Sequence, residues 1–230
     1  LARLQQCLNQ GKLSLIVSLP ANDAGLARAA LDAGADGLKV HYNVGHRASG
    51  THFGSLESYR EVFQTIRGMF DGPLGVVPAG SLEDAERESI GQLAPLGFDF
   101  YSIYAHHLPS HMLYESGLEK TFAINNEYDL SLVQSARHFG FTALEASIVP
   151  GSEYGTPLSF ADVLKYRMLV QQAQIPVLVP SQRKLVADDI RALSDAGVQA
   201  VLLGAIVLGS SEEQMRSKVA EFRNAIDRLT

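Results

Sequence analysis

Apolar residues along this chain fall into short runs of strand character, each followed by a stretch whose apolar positions recur at helical spacing. Eight strands are predicted: LSLIVSL (13–19), DGLKVHYN (36–43), PLGVVPA (73–79), FDFYSIYA (98–105), KTFAIN (120–125), FTALEASI (141–148), IPVLVP (175–180) and QAVLLG (199–204). Helical patterns such as AGLARAALDAG, SLESYREVFQTIRGMF, EDAERESIGQLAPLG, EYDLSLVQSARHFG and SFADVLKYRMLVQQA fill the connections. Several end at a glycine suited to a left-handed cap: Gly34, Gly97, Gly140 and Gly197. A helix after every strand is the pattern of crossover helices covering a parallel sheet. Eight such units in 230 residues suit a closed (β/α)8 TIM barrel, whereas an open doubly wound sheet usually stops at fewer strands. No Pro/Gly/Ser-rich linker or charge run divides the chain, so residues 1–230 are expected to form one barrel domain.

Strand parity then sorts side chains into two sets, because residues two apart share a face and the greasier face must pack beneath helices. In the second strand Leu38, Val40 and Tyr42 form the outer set, which turns Lys39, His41 and Asn43 inward. In the sixth strand Leu144, Ala146 and Ile148 face outward, leaving Glu145 and Ser147 inside, with Glu145 a natural partner for Lys39. The same rule turns Ser102, Tyr104 and His106 inward from the fourth strand, and Thr121, Ala123 and Asn125 from the fifth, while Ser18 closes the first. An inward lysine is costly unless it meets a carboxylate, a phosphate or water. Two readings follow: a structural ion pair filling the barrel, or a site at the carboxyl end where barrel enzymes build theirs.

Composition narrows the choice of ligand. With 19 Lys plus Arg against 25 Asp plus Glu the formal charge is −6, which disfavours nucleic acid as a partner. No apolar run is long enough for a bilayer span and LARLQQCLNQ lacks the apolar core of a signal peptide, so a cytoplasmic protein without a membrane partner is expected. The lone Cys7 excludes an internal disulfide. Six of the seven histidines, His41, His46, His52, His106, His107 and His111, fall near the predicted mouth, which leaves room for a divalent metal such as zinc or magnesium. No close-spaced ligand motif is present, so no metal ligand is assigned and no cofactor is predicted. The polar loop NVGHRASGTHFG (43–54) could fold over substrate, with Arg47 suited to an anionic group or simply solvated.

Two loops near the carboxyl end, PSQRK after the seventh strand and GAIVLGSSEEQM after the eighth, carry small residues that let backbone N–H groups approach an anion. Ser181, Gln182, Arg183, Gly204, Ala205 and Gly209 are the candidate phosphate ligands. Through VPSQRKLVADDIRALSDAGVQAVLLGAIVLG the chain resembles the phosphate-binding TIM-barrel superfamily over its last two units. N-acetylmannosamine-phosphate epimerases look similar in strand order and in this cradle, although Ser181 and Gln182 stand where they carry an acidic residue. The segments TFAINNE and LEASIVPGSEYG resemble the fifth-strand asparagine and the glutamate with its tyrosine-containing loop in prenylglyceryl-phosphate synthases, whose glycine triplet is missing at PSQ.

The resemblance implies an enzyme working on a phosphorylated ligand. The leading expectation is an isomerase, epimerase or aldolase-type lyase acting on a small phosphorylated carbohydrate-like substrate. Lys39 and Glu145 would carry protons, with His106 as relay, and Ser18, His41, Asn43, Arg47, Tyr104 and Asn125 would contact substrate. Lys39 forming a Schiff base is a variant of the same reading. The alternatives are prenyl transfer to a glycerol phosphate and a non-catalytic phosphometabolite-binding protein. A homo-oligomer is compatible with all three.

Overall fold

The computed structural model describes residues 2–115 and 117–229. Its strands are β1 (Ser14–Ser18), β2 (Gly37–His41), β3 (Val44–His46), β4 (Thr51–Phe53), β5 (Leu74–Val77), β6 (Phe100–Tyr104), β7 (Glu119–Ile124), β8 (Ala143–Ala146), β9 (Val177–Pro180) and β10 (Ala200–Leu203). All but β3 and β4 pair in parallel and close into a ring in the order β1, β10, β9, β8, β7, β6, β5, β2. In this ring of eight, β2 and β8 stand on opposite sides. The α-helices are α1 (Arg3–Leu8), α2 (Ala24–Asp32), α3 (Leu56–Arg67), α4 (Leu82–Glu86), α5 (Phe160–Ala173), α6 (Asp189–Asp195), α7 (Ala205–Leu208) and α8 (Glu212–Asp227). Asp23 caps α2 by accepting the Leu26 N–H, and Ser159 and Asp162 form a reciprocal capping box on α5.

Alternating strand faces divide the apolar residues into two cores. Leu15, Val17, Leu38, Val40, Tyr101, Ile103, Leu144 and Val179 pack outward beneath the helices. Inside the ring, Ile16, Phe100, Ala143, Leu178, Ala200 and Leu202 form a separate cluster with Leu4 and Leu8 of α1. The sequence pattern did not predict α1. It plugs the amino end of the barrel, and Glu119 seats it by accepting the N–H groups of Leu4 at 2.8 Å and Gln5 at 2.9 Å. Gly75 has no side chain because the Phe100 ring occupies that space. Gly34, Gly97, Gly140 and Gly197 all have positive φ, as their capping role requires.

Three connections differ from the predicted helices. The stretch 83–97 yields only α4, followed by 3-10 turns at Ile90–Gln92 and Ala94–Leu96, where Pro95 cannot donate to a continuing helix. Between β6 and β7 the described residues form 3-10 turns at Ala105–His107 and Ser110–Tyr114, separated by Pro109. After β7 a 3-10 helix runs from Leu130 to Phe139. Its apolar contacts Leu130, Val133 and Ala136 repeat every third residue, the period at which 3-10 side chains eclipse. The predicted polar loop 43–54 contains a short hairpin, β3 against β4, with Val44 opposite Phe53 and His46 opposite Thr51.

Candidate active site

At the carboxyl end of the ring, the inner faces of β2 and β8 send Lys39 and Glu145 toward each other. Lys39 Nζ donates to Glu145 Oε1 at 2.9 Å and Oε2 at 2.8 Å, and Ser102 Oγ on β6 donates to Oε2 at 3.0 Å. Lys39 is 4% exposed and Glu145 8%. Oε2 thus has two donors and Oε1 one, which leaves Oε1 the more basic oxygen. The pair spans the barrel one layer above the apolar plug, since Phe100 precedes Ser102 on the same inner face of β6.

Next to this floor stands a wall of uncharged imidazole. His41, buried on β2, stacks on Phe53 of the hairpin with centroids 4.9 Å apart and lies 4.6 Å from the His46 ring. Its backbone is gripped by Asn22, whose amide donates to the His41 carbonyl at 2.6 Å and accepts its N–H at 3.3 Å. His41 Nε2 lies 3.5 Å from Ser18 Oγ, and its Nδ1 has no hydrogen-bond partner among the described residues. Burial, followed by the neighbouring His46 and Lys39, pushes the His41 pKa well below the usual imidazole range. Burial and then Lys39 hold His46 down to about 4.

Above the floor lies a cavity of about 420 Å³, within the size range of small-molecule sites. Ser18, Lys39, His41, Arg47, Tyr104 and His106 line it, as do Asn125, Glu145, Ser181, Gln182 and Gly204. His106 sits at the exposed rim, where its Nδ1 meets the Tyr128 hydroxyl at 2.9 Å. Asn125 accepts the Glu127 N–H at 3.0 Å and so shapes the turn after β7. Burial drives the Tyr104 phenol up to about 12.

Other predicted site residues are engaged elsewhere. Asn43 turns out of the ring with φ +50° and donates to Glu88 at 2.8 Å, because β2 ends at His41 and the chain bends into the hairpin. Arg183 lies outside the cavity lining, with Nη2 pairing with Glu153 at 2.6 Å and Asp162 at 3.0 Å and Nη1 donating to Thr156 at 2.5 Å. Ala205 and Gly209 also lie outside the lining. Of the predicted cradle, only Ser181, Gln182 and Gly204 line the cavity. Ser181 Oγ accepts the Gly204 N–H at 2.8 Å, which leaves its own proton available to a ligand. The Gln182 side chain is bonded to Val149 N, Ser147 O and Tyr154 OH, so it braces the loop after β8.

Residues outside the predicted set also enter the site, among them Ser102, His46, Tyr154 and Gly151. Ser102 was legible as an inward residue, but its bond to Glu145 requires the barrel register. His46, Tyr154 and Gly151 reach the cavity from segments whose paths no periodicity specifies. The mouth histidines include two neighbouring pairs, His41 with His46 and His106 with His107, whose centroids are 4.6 and 4.1 Å apart. Among the described residues no three His, Cys, Asp or Glu gather as a metal-ligand set.

No protein-family model matches the chain, and no curated protein matches its sequence. Solved structures do. Tryptophan synthase from Mycobacterium tuberculosis superposes with a TM-score of 0.73 at 14% identity, covering 98% of this chain and 96% of that one. The chain has a (β/α)8-barrel fold. This barrel is also similar to thiamine phosphate pyrophosphorylase from Pyrococcus furiosus (TM-score 0.66, 16% identity, 95% of this chain and 98% of that one). The tryptophan synthase A-subunit of Pyrococcus furiosus gives a TM-score of 0.69 at 14% identity over 93% of this chain and 98% of that one. The likeness is one of fold and does not support the expected kinship with N-acetylmannosamine-phosphate epimerases or prenylglyceryl-phosphate synthases in particular. No helix among the described residues is long and apolar enough to cross a membrane.

Proposed function

We propose that this barrel is an isomerase, epimerase or aldolase-type lyase for a small phosphorylated carbohydrate-like substrate. The observation that carries the reading is the Lys39 and Glu145 pair, buried and held across the floor of a cavity that opens at the barrel mouth. Such a pair adds little net stability over apolar residues of similar volume, so its presence in the mouth is better explained by chemistry. The shared fold with a thiamine phosphate pyrophosphorylase and with tryptophan synthase, both enzymes by name, supports a catalytic barrel.

In the proton-transfer route, Glu145 Oε1 removes a proton from the carbon beside a substrate carbonyl. The C–H electron pair moves into an enolate, whose oxygen the Lys39 ammonium stabilises. Epimerisation needs a second donor to protonate the opposite face while Glu145 keeps the abstracted proton, the relay role expected of His106. Returning the proton to the neighbouring carbon, with the hydroxyl proton passing to the former carbonyl oxygen, gives isomerisation. A Schiff base would first require freeing Lys39 Nζ from both carboxylate oxygens, so the proton-transfer route is preferred. The Ser181 hydroxyl on the adjoining wall, whose proton is left available by the bond from Gly204, would donate to the phosphate.

Deuterium exchange tests the reaction class whatever product is finally formed. A panel of phosphorylated aldoses, ketoses and amino sugars is incubated with the protein in D2O, and loss of the C–H signal beside the carbonyl is followed by NMR. Glu145→Gln is expected to slow exchange by about 10²- to 10⁴-fold while keeping the fold. Undiminished exchange in that variant would remove Glu145 from the chemistry.

A further inference from the structure

A second bridge crosses the mouth above the Lys39 and Glu145 floor. The β3–β4 hairpin leaves the end of β2, and Arg47 opens its turn. The guanidinium reaches the opposite rim, where it rests on Gly151, the first residue of the 3-10 turn after β8. A Cβ on Gly151 would overlap Arg47 Nη1, so this glycine forms the seat of the guanidinium. The seat is braced from below: Glu153 pairs with Arg183 at 2.6 Å, Gly155 N–H donates to the Gln182 carbonyl at 2.9 Å, and Gln182 Nε2 donates to Tyr154 OH at 2.6 Å. Arg47 itself makes no hydrogen bond or ion pair among the described residues, although it lines the cavity and its charge is felt by Tyr104 and Tyr154.

Charge in the cavity is therefore arranged unevenly. The floor is balanced, Lys39 against Glu145, and the cation expected at the phosphate loops, Arg183, is held by Asp162 and Glu153. The remaining charged groups of the lining are Arg47 and the loop carboxylate of Glu127. We propose that Arg47 is the counter-charge for a substrate oxyanion, presented from the roof so that the ligand lies between the guanidinium and the catalytic pair. A guanidinium fork matches a phosphate or carboxylate, whose desolvated charge would otherwise meet only hydroxyl and amide donors. This deepens the phosphorylated-substrate reading and rests on it. The oxyanion is either the phosphate itself or a second acidic group on the same substrate.

Calorimetric titration of the full chain with inorganic phosphate and with 2-phosphoglycolate, which adds a carboxylate, separates these sources. Arg47→Gln is expected to weaken binding by about 10- to 100-fold, the scale of a lost charge-assisted hydrogen bond. Arg47→Lys should recover part of that loss, and Gly151→Ala should weaken binding in the same direction by displacing only the flexible guanidinium. A loss seen with both ligands assigns Arg47 to the phosphate, and a loss confined to phosphoglycolate assigns it to the second group. Either result supports the proposal. Unchanged affinity for both ligands in Arg47→Gln, or no binding of either by the unaltered protein at millimolar concentration, overturns it. Failure of the enzymatic reading alone would appear differently: the Arg47 effect would persist while no compound undergoes deuterium exchange in the unaltered protein.

Discussion

The two ends of this barrel are built on the same strands and filled by opposite chemistry. At the amino end, Ile16, Phe100, Leu178 and Leu202 close the interior against Leu4 and Leu8 of α1. At the carboxyl end, the same inward faces carry Ser18, Lys39, His41, Ser102 and Glu145, all buried beneath a cavity. Phe100 and Ser102 show the change within one strand, since two residues on one face separate an apolar plug from a ligand of a carboxylate. The contrast teaches that the fold needs only its lower layers to be greasy. The upper layers hold groups whose burial is unfavourable unless they are paired.

The largest expected stability effect comes from unbalancing the upper end. Glu145→Leu leaves Lys39 buried without its partner and should destabilise the protein by about 3 to 5 kcal/mol in urea unfolding. The double variant Lys39→Met with Glu145→Leu should recover most of that loss while abolishing deuterium exchange. A double variant as unstable as the single one would make the pair part of the core and collapse the contrast between the two ends.

At the closed end the expectation reverses. Leu4→Ala removes a fully buried side chain from the plug and should cost about 3 kcal/mol, with phosphate affinity unchanged by calorimetry. Weakened phosphate binding there would mean that the plug tunes the mouth.

Acidification provides a smaller effect specific to the upper end. His46 is held near 4 in the fold against an ordinary 6.5, so the unfolded chain takes up its proton first. Its contribution to stability is complete above about pH 6.5 and is lost as pH falls toward 4. By pH 5 this amounts to about 2 kcal/mol. Wild type should therefore lose that much more than His46→Gln between pH 7 and pH 5 in paired urea melts. Parallel losses would show that the imidazole is not held neutral by its surroundings.

The barrel and its inner face were legible because each central strand obeys period two. With Leu38, Val40 and Tyr42 packed outward, Lys39 had one direction left, and the same rule on β8 placed Glu145 opposite it although 106 residues separate them. Less regular segments hid the rest. The 3-10 helix after β7 repeats its apolar contacts every third residue, close enough to a helical period to be read as α. The hairpin strands span only three residues each and are largely polar, so their pairing left no alternation to read. Arg183 has the residue type of a phosphate ligand, and only the path of the loop after β8 shows that Asp162 and Glu153 take it instead. Asn43 looked inward by parity, but parity ends where the strand does.

A crystal structure of the protein grown with sulfate or phosphate tests the central claim most directly. The account predicts an anion inside the cavity, within hydrogen-bonding distance of Ser181 Oγ, above a Lys39 and Glu145 pair still joined across the floor. A cavity without an anion at saturating concentration, or Lys39 turned out among the helices, would contradict it.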